Sequence, residues 1–265
     1  MSILFHIFLF FLGACIGSYL CCQARRLRLK EQKKKPLGQR SVCMSCHHQL
    51  KWHDNLPIIS WLALKGKCRH CHKKIGNAEL LSELGTALSF VLLSFSINIS
   101  TASSMDWTIF VATLLLSSIL IFLAIYDGLY GELPTVCLAL AIGCSIAILL
   151  FRIYITVSFN GFTMELIWKP ALSFAILGGI YLILYLVPKG RWVGDGDWLL
   201  GTAIGIALYE PWLALIALFL ANFIACVIMY PTVKSKKNHK IHFGPFLVIS
   251  YIITASFANL IMSMI

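Results

Sequence analysis

Long apolar runs separated by short polar breaks fill most of the chain, and one polar break is much longer than the rest. The apolar runs lie near 3–24, 79–98, 107–126, 133–151, 170–187, 192–209, 212–230 and 243–264. Each comes close to the roughly 20 residues that a helix needs to cross a hydrocarbon core of about 30 Å. Backbone that enters lipid must satisfy its own N–H and C=O groups, and a helix does so within one segment. The pattern therefore predicts an all-α polytopic membrane protein with about eight transmembrane helices. The long break predicts a small cytoplasmic module between helices 1 and 2. The expected organisation is a first transmembrane helix at 1–24, a basic module at 25–78 and a seven-helix membrane domain at 79–265.

Composition removes the soluble alternatives. Of 265 residues, 59% are apolar and 12% charged, with a mean hydropathy of +0.83. A soluble domain averages roughly 45–50% apolar and about 25% charged. The net charge is +11, from 22 basic and 11 acidic residues, and fourteen of the basic ones fall between Arg25 and Lys74. Short loops rich in Lys and Arg stay in the cytoplasm. Alternating eight helices from that anchor also puts Lys189, Arg191, Lys234, Lys236, Lys237 and Lys240 inside, leaving only Arg152 and Lys169 outside. Both termini come out extracytoplasmic. Anionic lipid at the inner leaflet accounts for the basic patch, so the expected partner is membrane lipid and not nucleic acid. Residues 1–24 carry no positive charge before the apolar run and many follow it, the reverse of a secretory signal. An uncleaved anchor is expected, although Leu12-Gly13-Ala14-Cys15 resembles a lipoprotein cleavage box.

The ten cysteines divide into two kinds. Cys15, Cys21, Cys22, Cys137, Cys144 and Cys226 lie in apolar runs, where a thiol behaves as a small hydrophobe. Cys43-Met44-Ser45-Cys46 and Cys68-Arg69-His70-Cys71 are two CxxC knuckles at zinc-ribbon spacing. Four thiolates around one zinc ion close a small fold that has no core of its own. A pair of disulfides is the alternative, and a reducing cytoplasm disfavours it. Such a closed site leaves no open position, so the zinc, one per chain, is expected to be structural. The neighbouring His47, His48, His70 and His72 are read as bystanders.

Scarce carboxylates are more telling. A carboxylate within a span costs roughly 2.5–3.5 kcal/mol on insertion scales. Asp127 ends the third run, in Ala124-Ile125-Tyr126-Asp127-Gly128, and Asp195 and Asp197 open the sixth, in Gly194-Asp195-Gly196-Asp197-Trp198. The topology puts all three at one face of the membrane, the cytoplasmic one. The stretch 198–209 makes only about 18 Å of helix, so the sixth span is expected to begin near Trp192, with Gly194–Asp197 at membrane depth. Any one of these residues alone reads as a helix cap or interface anchor. Two carboxylates at matched depth read differently. Sharing one proton, such a pair can activate water as base and protonate a leaving amine as acid.

These residues carry a resemblance. Gly17-Ser18-Tyr19-Leu20 with Arg26-Leu27 resembles the GSFLNxxxxRLP opening of the type IV prepilin peptidases, GxGD aspartic proteases that also act as N-methyltransferases. The two knuckles, with Leu50-Lys51-Trp52-His53-Asp54-Asn55-Leu56-Pro57 between them and Glu83-Leu84 after them, resemble the family's zinc block. Asp127 with Leu133-Pro134 resembles the first catalytic aspartate, and Gly194-Asp195-Gly196-Asp197 resembles GxGD. Departures are Cys21 for Asn, Thr135 for Asp, Leu199 for Lys, and the loss of Arg and Pro from the stretch 75–83. The resemblance implies catalytic Asp127 and Asp197 framed by Gly194 and Gly196, with zinc on Cys43, Cys46, Cys68 and Cys71. It implies cleavage of the short basic leader of prepilins and type II secretion pseudopilins at the inner membrane. N-methylation from S-adenosylmethionine would follow. No GxGxxG follows a strand, so the methylation site is expected near the zinc module and Glu83. A transporter with intramembrane carboxylates and a zinc-ribbon adaptor remain as alternatives. The sequence leaves the oligomeric state open.

Overall fold

The computed structural model describes residues 2–32, 41–43, 45–46, 48–187, 194–235 and 242–265. Expectations on His47, Lys189, Arg191, Trp192, Lys236, Lys237 and Lys240 lie outside the described residues. The described residues are helical, apart from loops and two isolated β-bridges. They form two compact units, Met1–Val91 and Leu92–Ile265.

In the first unit, α1 (Ser2–Glu31) runs 30 residues, about 45 Å at 1.5 Å per residue. That is longer than a bilayer core, so the helix carries its basic last turns, with Arg28 and Lys30, beyond the apolar run. Positive charge there complements the helix C-terminus. α1 packs on α3 (Asn77–Leu93) through the Gly-x-x-x-Gly spacing of Gly13 and Gly17. A Cβ on Gly13 would come within 2.8 Å of the Ala87 Cα, and one on Gly17 would collide with the Ser82 carbonyl. Small residues at this spacing let helix backbones touch. Between the two helices lie a 3₁₀ turn (Trp52–Asn55), the short α2 (Ile59–Ala63) and two knuckles closed by the bridges Val42–Gln49 and Lys67–Lys74.

The second unit is a bundle of α4 (Ser104–Tyr130), α5 (Thr135–Asn160), α6 (Glu165–Phe174), α7 (Ile180–Leu186), α8 (Asp195–Leu208), α9 (Pro211–Ser235), α10 (Gly244–Ser256) and α11 (Ala258–Met264). α4 begins with a capping box, in which Ser103 Oγ accepts from the Asp106 N–H and Asp106 accepts from the Ser103 N–H. It ends at Gly131, whose φ of +70° is the left-handed C-cap that glycine allows. α6 and α7 join through a wide π-helical segment, Ala175–Gly179.

Among the described residues, six helices are long and apolar enough to cross a membrane, or seven if the pair Gly244–Ser256 and Ala258–Met264, bent by 66°, counts as one span. Eight were expected. The difference lies at 192–209, where α8 has 14 residues, about 21 Å, and its expected beginning falls outside the described residues. Nine of those fourteen are buried, and α5, α6, α7, α9 and α10 surround it. α8 is apolar because protein surrounds it. Gly201 and Gly205 seat it: a Cβ on either would come within 2.8 Å of the carbonyls of Leu177 and Ser173. The Ser173 hydroxyl donates to the Gly205 carbonyl at 2.6 Å.

Candidate functional site

Asp127 and Asp197 come from different helices and are both buried, 6% and 8% exposed. Asp127 sits in the last turn of α4, where its carbonyl accepts the Gly131 N–H at 2.7 Å. Its carboxylate faces the start of α10: Oδ2 accepts the Gly244 N–H at 2.9 Å, and Oδ1 lies 3.7 Å from His242 Nδ1. The His242 ring lies over Gly131, where a Cβ would be 2.6 Å from it. Asp197 occupies the first turn of α8. Its Oδ2 accepts the Gly194 N–H at 3.1 Å, while its own N–H donates to the Gly194 carbonyl at 3.2 Å. A helix N-terminus favours negative charge.

The two carboxylates are brought towards each other where the first turn of α8 meets the chain that follows α4. Gly196 is what lets α8 approach, because a Cβ there would lie 2.7 Å from the Leu133 side chain. The Leu133-Pro134 block and the GxGD block thus touch. Asp195 points outward, its side chain exposed. Sequence reasoning missed Gly244 and His242. The visible signal was His242-Phe243-Gly244-Pro245, a polar and glycine break opening an otherwise apolar run.

In the first unit, the sulfurs of Cys43, Cys46, Cys68 and Cys71 lie within 4.8 Å of one another, with Cys43 and Cys71 3.9 Å apart. In a tetrahedral zinc site with Zn–S of about 2.3 Å, the sulfurs stand about 3.8 Å apart, so the cluster fits zinc. Each knuckle closes on itself, by Cys43 N–H to the His48 carbonyl and Cys68 N–H to the Lys73 carbonyl, both 2.9 Å. Burial opposes ionisation of the Cys43 thiol, but backbone N–H groups of Cys46 and Ser45 outweigh it and lower it, while the neighbouring sulfurs of the cluster push Cys46 up, so the sulfurs share one negative charge. A ready thiolate suits metal capture. His48 and His70 stack on each other, centroids 4.4 Å apart. Asp54 joins the knuckles to the intervening turn, accepting from Arg69 at 2.8 Å and from the Lys51 N–H at 3.2 Å.

Glu83 is buried and accepts the Ile58 N–H at 2.7 Å. Ile58 has φ +63°, a rare conformation for a β-branched residue, and Glu83 holds it there. Next to it a cavity of about 430 Å³ is lined by Ser18, Tyr19, Arg25, Arg26, Asn55, Pro57 and Glu79 among others. Glu79 Oε1 pairs with Arg25 at 2.6 Å, while Oε2 is buried with no hydrogen-bond partner. Sequence reasoning missed Glu79.

Long apolar helices bundled around a short buried one, together with a four-cysteine cluster, define a multi-pass membrane protein. Residues 11–97 match the Bacterial Peptidase A24 N-terminal domain. The chain is 30% identical to the prepilin leader peptidase/N-methyltransferase of Vibrio cholerae, across 95% of this chain and 94% of that protein. The enzyme of that name from Stutzerimonas stutzeri is 25% identical, across 90% of this chain and 86% of its own length. That from Myxococcus xanthus is 38% identical over 132 residues, 49% of this chain and 36% of that protein. The chain belongs to the prepilin leader peptidase/N-methyltransferase family. No solved structure matches it.

Proposed function

We propose that this protein is a membrane-embedded aspartic endopeptidase that removes the leader of prepilins and pseudopilins, with Asp127 and Asp197 as its catalytic pair. The observation that carries this reading is that two buried carboxylates, on segments that meet at Gly196 and Leu133, are each held by a backbone N–H, from Gly244 and Gly194. Two neighbouring carboxylates share one proton. The ionised one takes a proton from water as it attacks the scissile carbonyl. The protonated one donates to the leaving amine. Gly194 and Gly196 permit the approach, the latter by leaving room for Leu133. The basic stretch from Arg25 to Lys74 supports a cytoplasmic first loop by the positive-inside rule, and the reading has the pair act at that face of the inner membrane, where leaders emerge. The test is an Asp→Asn scan assayed by leader cleavage. Asp127→Asn and Asp197→Asn are each expected to abolish it with expression intact, and Asp195→Asn to retain it. Full cleavage by Asp197→Asn overturns the mechanism.

N-methylation is assigned to the first unit. S-Adenosylmethionine, when bound, supplies an electrophilic methyl group. The 430 Å³ cavity fits its amino-acid end: the unpartnered Glu79 Oε2 suits an ammonium, and Arg25 beside it suits a carboxylate. Glu83 supports this wall by holding Ile58 next to Pro57. Zinc on Cys43, Cys46, Cys68 and Cys71 fixes the module that forms the other side. Equilibrium binding of S-adenosylmethionine to Glu79→Gln is expected to weaken at least tenfold while leader cleavage stays unchanged. Undiminished binding removes the assignment.

A further inference from the structure

The two basic residues expected on the outer face are treated very differently by the second unit. Lys169 Nζ is held by two carboxylates, Glu165 at 2.9 Å and Glu210 at 3.0 Å. Arg152 forms no ion pair among the described residues, and its Nε is buried without a hydrogen-bond partner. It stands 17 residues along α5 from Thr135, and a guanidinium inside a span is expensive unless something answers it. Tyr251 lines the same cavity as Arg152. Tyr209 carries a φ of +64°, so the chain turns tightly where α8 ends.

Arg152 and Tyr251 line a cavity of about 380 Å³, which also takes in Asn98, Thr101, Asp106 and Asn259. This volume lies in the range of small-molecule sites, about 300–1,000 Å³. Its place in the bundle is set by α4: Thr113 lines it, 14 residues before Asp127, which is about 21 Å along the helix. The cavity is therefore at the opposite end of the unit from the carboxylate pair. It opens at the first turn of α4, where Asp106 is exposed. A half-buried guanidinium whose Nε is buried and unpartnered, at the back of such a chamber, calls for an anion, and planar donors suit phosphate. At the mouth, both hydrogen bonds that Ser103 makes to Asp106 end on Oδ2, at 2.8 Å. Oδ1 stays available to a cation.

We propose that this cavity binds a phosphate ester, supplied by a phospholipid headgroup, with Arg152 on the phosphate and Asp106 on an ammonium. The pairing of a deep cation with an outer carboxylate selects a zwitterionic headgroup such as phosphoethanolamine over an anionic one. The site is separate from the peptidase pair and involves none of its residues.

Native mass spectrometry of the full chain, delipidated in detergent and titrated with phosphatidylethanolamine or phosphatidylglycerol, tests this. One phosphatidylethanolamine per chain is expected to survive at activation energies that strip the rest, with an apparent affinity at least tenfold above that of Arg152→Gln. Because Arg152→Gln removes a half-buried group, Ala255→Phe provides a second variant, filling the cavity with the arginine intact, and should lose the same lipid. Asp106→Asn, which keeps a capping oxygen, is expected to remove the preference for phosphatidylethanolamine over phosphatidylglycerol. Equal lipid retention by wild type and both cavity variants overturns the proposal. Inorganic phosphate is the remaining arm: saturable binding at millimolar concentration that depends on Arg152, without lipid retention, overturns the lipid source and leaves a free-phosphate site.

Discussion

The Gly244 backbone N–H donates to Asp127 Oδ2 at 2.9 Å, across a separation of 117 residues. A Cβ on Gly244 would lie 2.8 Å from that same oxygen and 3.3 Å from the Asp127 Cβ. Gly244→Ala must therefore push the carboxylate aside or draw α10 back. A displacement near 1 Å at a reacting group costs about 100-fold in rate. The expected outcome is a loss of leader cleavage of about that size, with normal amounts of protein in the membrane, measured by mass shift of a prepilin substrate.

Helix α8 depends on two contacts that only glycine allows. At Gly205 a Cβ would sit 2.8 Å from the Ser173 carbonyl and 3.1 Å from the Phe174 Cα. Overpacking of this kind costs about 1–3 kcal/mol, so Gly205→Leu is expected to lower the thermal midpoint of the purified protein by several degrees. Gly143, where a Cβ would meet nothing within 4 Å, is the control. Gly143→Ala should leave the midpoint unchanged or raise it, since alanine is the better helix former by about 1 kcal/mol.

Metal analysis of the purified chain is expected to give about one zinc per molecule. Cys46→Ser or exhaustive chelation should remove it and expose the segment between the knuckles to protease, because the two bridges alone close only short loops. A zinc-free protein with the four thiols oxidised in pairs would contradict this.

Asp54 makes the module sensitive to acid. Its partial burial raises the carboxyl, but the hydrogen bonds from Arg69 and the Lys51 N–H outweigh that and hold it below the usual carboxylate range. A carboxylate lowered on folding contributes stability that is fully present above about 3.9, its unfolded value. That contribution is lost as pH falls through the lower folded value. A carbon-detected NMR titration should place the Asp54 midpoint below about 3.9, and Arg69→Gln should move it upward.

Much of this is legible in the sequence, for identifiable reasons. Apolar runs announce the long helices because lipid demands unbroken apolar length. The CxxC knuckles announce the metal cluster because their spacing is local. Asp127 and Asp197 stand out because so few acids exist. What escapes is made by backbone or by distance. Gly244 reaches Asp127 through an N–H that every residue but proline has, from a helix far along the chain. Glu79 looks like one more residue of the α3 amphipath until its second oxygen is seen to face a cavity. The length of α8 is hidden because burial in protein and burial in lipid write the same apolar pattern. Charge marks the end of the first apolar run but not the end of α1, since Arg and Lys are good helix formers.

Both members of the carboxylate pair are hydrogen-bonded by main chain, at Gly194 and Gly244. Short of proline, no replacement elsewhere in the bundle can delete either donor. A site tethered in this way tolerates drift in the side chains around it. In this chain Thr135 and Leu199 stand near the pair, and the two carboxylates have their main-chain donors all the same. The site's heritable requirement is thus a backbone path carrying two acids and the glycines that let it pass.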